Sequence, residues 1–398
     1  MPRRATKRGG ERTPLDRDCD VLICGASFAG LAVARELAAS GADVMIVDRY
    51  EIGERQTSAC GIPTGWLTAL RLEESLRQTF GELVIHTPHK TVRYDLPWTF
   101  STFDYQTLCG LLAAQGAFTF ETAKVEGRSA DADRLASSPG GELGEGAGVH
   151  VVRTDRGEIR APLIVDALGW RRVLGVGENV QPPGALLSRG LEVHPFGSGA
   201  DLEVWIDRGY VPAGYGWSFP AGGEVRIGVG SFDPRFHVRE PTVRLAEDLG
   251  ADTVRYQGNW IPHALRPATE DGVFFVGDSA GHCLPLTAEG IRTALYFGLA
   301  CGRELSRVVA GEQSREQGLA RYHQFSAGHA RPFEWMLRVQ RLVPRVAPRL
   351  LAPALGAMGS KRFVDWSFNH YLDVAHPRFA TPDGTRGRIA ARPAPAPA

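Results

Sequence analysis

"DVLICGASFAGLAVARELAASGADVMIVDRY", residues 20–50, decides the architecture. Val21–Cys24 is a short apolar run, long enough for a parallel strand buried on both faces. A Gly-rich turn follows, Gly25-x-Ser27-x-x-Gly30. Leu31–Ala39 is rich in helix formers and stops at Gly41. Val44–Val47 is a second apolar strand, ending at Asp48. The stretch is therefore a strand–helix–strand unit with a turn that can meet a phosphate. The first glycine permits the tight turn, the middle position lets backbone approach a pyrophosphate, and the last lets helix and strand pack closely. Ser27 replaces the middle glycine; it is small, and its hydroxyl can donate to phosphate. Asp48 follows Gly25 by 23 residues, close to the spacing of a carboxylate that accepts from a ribose hydroxyl. The reading is dinucleotide binding at Gly25, Ser27, Phe28, Ala29, Gly30, Asp48 and Arg49. The bland alternative is a packing turn without a ligand.

The unit sits in a chain of 398 residues, long enough for two or three lobes. Apolar residues make up 43% and charged residues 23%, as in ordinary globular proteins. Lys+Arg and Asp+Glu are 45 each, so nothing points to nucleic acid. The only lysines are Lys7, Lys90, Lys124 and Lys361. Six cysteines are scattered without a CxxC pair, which argues against a zinc or dithiol site and for a reduced, cytoplasmic chain. No metal site is expected. Residues 1–18 read as a disordered basic tail without the apolar core of a signal peptide. Residues 379–398 read as a disordered Pro-rich tail.

Beyond the opening unit, "FTFETAKVEG", "GVHVVRTDRGEI" and "APLIVDALG" read as a small antiparallel meander. Residues 130–148 read as a loose polar insertion. Between residues 185 and 262 lie short aromatic and β-branched runs, expected to form a sheet with its own face to cover. "VFFVGDSAGHCLPLTAEGIRTAL", residues 273–295, is a buried strand that ends in Gly277-Asp278 and leads to a helix. The remainder to about His376 is helical. These readings divide the chain into a dinucleotide-binding domain (19–178 and 266–312), a second sheet domain (179–265) and C-terminal helices (313–378).

The Gly-Asp motif needs a partner, because a buried carboxylate is costly alone. No second complete Gly-rich unit exists for another nucleotide, so one extended dinucleotide clasped at both ends fits best. At this point the chain resembles the FAD-dependent oxidoreductases that include aromatic hydroxylases, flavin halogenases and geranylgeranyl reductases. The resemblance implies an α/β fold with a Rossmann-like FAD domain, an antiparallel substrate sheet and C-terminal helices. It implies that Asp278 bonds the ribityl chain of FAD and that a helix starting at Gly290-Ile291 faces the flavin ring. "LIVDALGW", which contains Gly169, resembles the strand and turn closing over the cofactor. "PAGYGWSFP", Pro212–Pro220, and "PLTAEGIRTAL", Pro285–Leu295, resemble motifs of the geranylgeranyl reductase group, with Ala288 where that group has glycine. "SACGIP", Ser58–Pro63, matches its Cys-Gly-Gly-Gly loop only in Cys60-Gly61.

The resemblance implies reduction of C=C bonds in a prenyl or other apolar substrate, by hydride transfer from reduced flavin. Tyr215, Trp217 and Phe219 alternate, so all three can line one sheet face. Cys60, Tyr215 and Trp217 are the catalytic candidates; His282 is a weaker proton donor. The alternative is a monooxygenase or halogenase working through a C4a-flavin adduct. Against it stand Gly281, where flavin hydroxylases carry histidine, and the lack of a motif-borne lysine, which halogenases need. An electron-transfer flavoprotein is a further rival. NADPH, without a fold of its own, or a ferredoxin is open as electron donor. From Trp335 to Val364 there is no acidic residue, while Arg338, Arg341, Arg345 and Arg349 recur at helical spacing. That pattern suggests peripheral membrane contact. Pro344 and Pro348 should break any single long helix there.

Overall fold

The computed structural model describes residues 13–56, 58–129, 148–177 and 184–381. Among these residues the strands form three sheets. The first is built on the opening unit. It runs β17 (Thr269–Glu270), β18 (Val273–Phe275), β11 (Leu163–Asp166), β2 (Val21–Cys24), β3 (Val44–Asp48), β7 (Thr119–Thr122), all parallel except β17. β2 and β11 are buried at every residue, as strands covered on both faces must be. Helix α1 (Phe28–Glu36) follows β2 and lies against α5 (Ile291–Val309). Gly298 and Gly302 permit that approach: a Cβ on either would come within 2.6 and 2.7 Å of the α1 carbonyls of Ala29 and Val33.

A four-stranded sheet, β1 (Arg17–Asp18), β10 (Gly157–Ala161), β9 (His150–Thr154), β8 (Val125–Arg128), flanks this domain. Here the expected meander needs correction. Its first and last runs, β7 and β11, belong to the parallel sheet, and only the middle strands pair antiparallel. The expected tail is also shorter than 1–18. Leu15 is buried and Arg17–Asp18 pairs with β10, so residues 13–18 are part of the fold. Residues 1–12, 130–147 and 382–398, which carry the remaining tail and insertion expectations, lie outside the described residues.

The third sheet has eight strands: β16 (Gln257–Pro262), β12 (Leu187–Val193), β15 (Val225–Ser231), β14 (Gly214–Pro220), β13 (Leu202–Trp205), β5 (Leu76–His86), β6 (Thr91–Phe103), β4 (Gly61–Pro63). The sequence runs between 185 and 262 all appear in it. The long hairpin β5–β6 and β4 were assigned to the FAD domain, and the structure places them in this sheet instead. β5 joins it through a parallel pairing with β13, a partner more than a hundred residues away. No local pattern reports such a pairing.

Each face of the large sheet has a different cover. Val193, Ile227 and Val229 pack on helix α4 (Arg239–Asp248), an element the sequence reading did not register. The register puts Trp217, Val204, Ile85 and Val92 on the opposite face. There Ile85, Val92 and Tyr94 pack on Leu355 and Val364 of helices α8 (Pro348–Ala357) and α9 (Lys361–Asp373). Short helix α2 (Gly65–Ala69) and α3 (Tyr105–Ala113) link the sheet to the FAD domain. Helices α6 (Arg315–Ala327) and α7 (Ala330–Leu342) complete the C-terminal part, and α7 does end before Pro344. No helix among the described residues is long and apolar enough to cross a membrane.

Candidate active site

The site begins at the turn after β2. Gly25 has φ +113°, and a Cβ there would lie 2.3 Å from the Ala167 carbonyl oxygen. Only glycine lets the turn lie against the β11 loop. A Cβ on Gly30 would fall 1.9 Å from the Gly25 oxygen. Helix α1 starts at Phe28 with neither a side-chain cap nor an acid in its first turn. Its free N–H groups and positive end suit an anion. Ser27 Oγ lies 3.2 Å from Tyr105 Oη, so its hydroxyl is engaged there and retains capacity for one further bond. Phe28 contributes backbone only: its ring packs edge-on to Phe103 and Tyr105.

Asp48 ends β3. One carboxylate oxygen accepts from Ala26 N at 2.8 Å and the other from Tyr50 N at 3.0 Å. Burial pushes its carboxyl up, and these backbone bonds work against that rise. Asp48 thus braces the glycine turn, with lone pairs left for a ribose. Exposed Arg49 lies over the Tyr50 ring.

The second nucleotide element arrives from across the sequence. β18 runs into a 3₁₀ turn, Gly277–Ala280. Gly277 has φ +61°, and a Cβ there would sit 3.0 Å from Ala29 Cβ in the first turn of α1. Asp278 then points at the start of α5: a Cβ on Gly290 would lie 3.7 Å from its Oδ1 and 3.3 Å from Cys283 Sγ. The Asp278 carboxyl accepts no hydrogen bond among the described residues. Burial raises its pKa to about 6, against the pull of Arg266. Yet the side chain is only half-buried, so it faces open space deep in the fold. Helix α5 starts at Gly290-Ile291, again without a side-chain cap or early acid. Two uncapped helix ends and an unpartnered carboxylate therefore converge. Donors for a pyrophosphate and an acceptor for ribityl hydroxyls are what FAD requires. The residues fit the cofactor.

Gly169, in a left-handed conformation, lies in the loop after β11. Its carbonyl accepts from Ser279 Oγ at 3.0 Å. Asp166, at the end of β11, holds the loop: fully buried, it accepts from Leu168 N, Leu174 N and Ser279 Oγ. Burial pushes its carboxyl up as well. Sequence reasoning missed Asp166, although an acid ending an apolar strand is the same signal that drew attention to Asp48.

The large sheet supplies the opposite wall. Tyr215, Trp217 and Phe219 are half-exposed, with buried residues between them, so they share one face. Trp217 lies flat across its neighbours, because the residues beneath it have no side chains. A Cβ on Gly228 would be 2.3 Å from its Cζ2, on Gly230 3.4 Å from its Cζ3, and on Gly190 3.6 Å from its Cη2. Trp217 Nε1 donates to Glu192 at 3.2 Å, and buried His194 contacts the other oxygen at 2.9 Å. Tyr215 Oη donates to the Thr287 carbonyl at 2.5 Å, which ties the wall to the flavin-facing turn. Burial pushes its phenol well up, so it stays protonated at neutral pH.

Two other candidates stand apart from open space. Cys60 is fully buried in the FAD-domain core, with Sγ 3.2 Å from the Ser58 carbonyl, and burial pushes its thiol far up. His282 is fully buried, stacked on Phe297 at 3.7 Å and bonded to Ser326 Oγ at 2.9 Å. Burial lowers its pKa, which keeps it neutral. Gly281 has φ +67°, and a Cβ would lie 2.0 Å from the Ala264 oxygen. Backbone geometry demands glycine there, whatever the chemistry.

A further cluster, absent from the sequence reading, clamps the flavin-facing turn. Buried Arg292 lies 2.9 Å from Glu289 Oε2 and donates to the carbonyls of Tyr371, Leu372 and Ala375. Tyr371 Oη donates to Glu289 and accepts from Thr287 Oγ1 at 2.9 Å. The end of α9 is thereby tied to the start of α5.

A dinucleotide turn on a parallel sheet, joined to a second sheet that walls the cofactor cleft, defines a flavoprotein oxidoreductase. A family model described as an FAD binding domain matches residues 18–79. The chain is 25% identical over 342 residues to digeranylgeranylglycerophospholipid reductase 3 of Methanosphaera stadtmanae, covering 79% of this chain and 83% of that one. A geranylgeranyl bacteriochlorophyll reductase-like protein of Thermoplasma acidophilum superposes with a TM-score of 0.76 at 16% identity, covering 92% of this chain and 98% of that one. A probable FAD-dependent monooxygenase of Pseudomonas aeruginosa, PqsL, matches with a TM-score of 0.58 at 17% identity, over 81% and 98%. The chain is an FAD-dependent oxidoreductase of geranylgeranyl reductase-like structure.

Proposed function

We propose that this protein reduces carbon–carbon double bonds of a prenyl lipid or similar apolar substrate. The observation that carries the reading is the Trp217 wall. Its indole lies over Gly190, Gly228 and Gly230, and with the neighbouring Tyr215 and Phe219 rings it makes an aromatic surface on one face of the sheet. Such a surface can orient an alkene chain and exclude water, but offers few polar groups to a hydroxylated substrate. Bound FAD, once reduced, supplies the two electrons and one hydrogen that add to one alkene carbon.

The second alkene carbon needs a proton. Tyr215 is the candidate that keeps surface toward the cleft, whereas Cys60 has none. Its phenol stays protonated, and Thr287 O holds it in place. Glu192 and His194 fix the Trp217 plane. The described lysines lie in surface settings: Lys90 in the β5–β6 turn, Lys124 3.3 Å from Glu126, Lys361 2.8 Å from Asp365. None stands ready for halogenation chemistry, which supports the reductase reading. NADPH is the proposed electron donor, meeting the flavin edge without a domain of its own.

Product mass is the test. Reduced holoenzyme given a prenyl-lipid extract should add two hydrogens per double bond with or without oxygen. An added oxygen or halogen atom, seen only in air, would sink the proposal in favour of the oxygenase alternative. In the same assay Tyr215→Phe should slow turnover while FAD stays bound.

A further inference from the structure

The Ile206–Gly214 connection meets residues 343–351 across a shallow surface cleft. Ile206, Val211, Val343, Pro344, Val346 and Leu351 line it, together with Asp207 and Arg208. Arg208 spans it and donates to the carbonyls of Pro344 and Val346.

The outer surface above the cleft is unusual. Helix α7 buries Phe333, Met336 and Gln340, and its opposite side presents Trp335, Arg338 and Leu342 to solvent. Trp335 is 63% exposed, Leu342 57% and Leu350 62%. Helix α8 continues the pattern with exposed Arg349, Pro353 and Ala354. A solvated helix face carries mixed charge; beyond Glu334 this one carries apolar side chains and arginines. Arg341, Arg345 and Arg349 are exposed and form no ion pair among the described residues. Arg338 reaches Glu334 only at 3.9 Å. Apolar tips beside unpaired cations are the complement of an anionic lipid surface: the tips enter the headgroup region and the arginines meet phosphate.

We propose that α7, the 343–347 connection and α8 form a docking face for an anionic bilayer. This docking face does not rest on the reductase reading.

The test is co-sedimentation of FAD-loaded protein with phosphatidylcholine vesicles, with and without phosphatidylglycerol. Wild type should bind the mixed vesicles at low salt and release as salt rises. Arg345→Gln/Arg349→Gln should weaken binding about thirtyfold, at the usual contribution of each cation near an anionic surface. Leu342→Asp/Leu350→Asp should weaken it too. Arg239→Gln/Arg244→Gln, on α4 behind the sheet, should bind as wild type. Wild type remaining in the supernatant would overturn the proposal, and so would equal loss in the α4 variant. Binding requires no turnover, so the result stands even if the reductase reading fails. With turnover in hand, Arg345→Gln/Arg349→Gln should raise KM for vesicle-borne substrate and leave detergent-dispersed substrate unaffected.

Discussion

Replacing Asp278 by asparagine should move stability and cofactor affinity in opposite directions. No described residue donates a hydrogen bond to the Asp278 carboxyl, and burial raises its pKa from 3.8 to about 6. A carboxyl whose folded pKa is raised destabilises the fold when ionised. The cost is absent below the unfolded pKa and fully present above the folded one. The shift corresponds to at most about 3 kcal/mol. Water entering the cleft of the apoprotein reduces this to about 1–2 kcal/mol. Apo Asp278→Asn should therefore match wild type near pH 4 and melt a few degrees higher from pH 7 upward. Its FAD affinity should fall about ten- to a hundredfold, because hydrogen bonds to a charged acceptor are lost. Thermal melts of the apoproteins across pH and titration with FAD read both effects. A melting difference that does not change with pH would refute the electrostatic reasoning. Unchanged FAD affinity would refute the assignment of Asp278 to the cofactor.

The remaining predictions concern packing around the cleft. Gly228→Ala should displace Trp217, whose ring lies 2.3 Å from the added methyl position, and lower kcat/KM while FAD stays bound; normal turnover would dismiss the role of the Trp217 surface. Arg292→Met leaves Glu289 buried without its cation and unties the end of α9, so chemical denaturation should show a loss of about 3–5 kcal/mol. Ala288 sits at φ +53°, where an L-residue is strained by about 1–2 kcal/mol. Ala288→Gly, the residue of the geranylgeranyl reductase motif, should relax the flavin-facing turn and raise the melting temperature of the holoenzyme; an unchanged or lower melting temperature would refute the strain.

What could be read from the sequence was local. Gly25, Gly30 and Asp48 declare themselves because a phosphate-binding turn needs specific residues within one strand–helix–strand unit. Gly277-Asp278 stands out because an acid ending an apolar strand requires a partner. Tyr215, Trp217 and Phe219 share a face because a strand repeats every second residue. The docking surface was half legible: the run without acids is visible in sequence, while the cleft beneath it is not.

Tertiary structure decided what depends on residues far apart in the chain. Gly277 meets Ala29 only because β18 and β2 flank β11. The β5–β6 hairpin joins the substrate sheet through β13, and its own sequence would suit either domain. The glycines under Trp217 come from two other strands, and the Glu192 that holds its indole comes from a third position along them. Cys60 shows the reverse case: a resemblance placed it beside the flavin, and packing seals its thiol inside the core. Side-chain type and spacing act over one turn or one strand. Burial, pairing of distant strands and the partners of buried charges are settled only when the sheets close on each other.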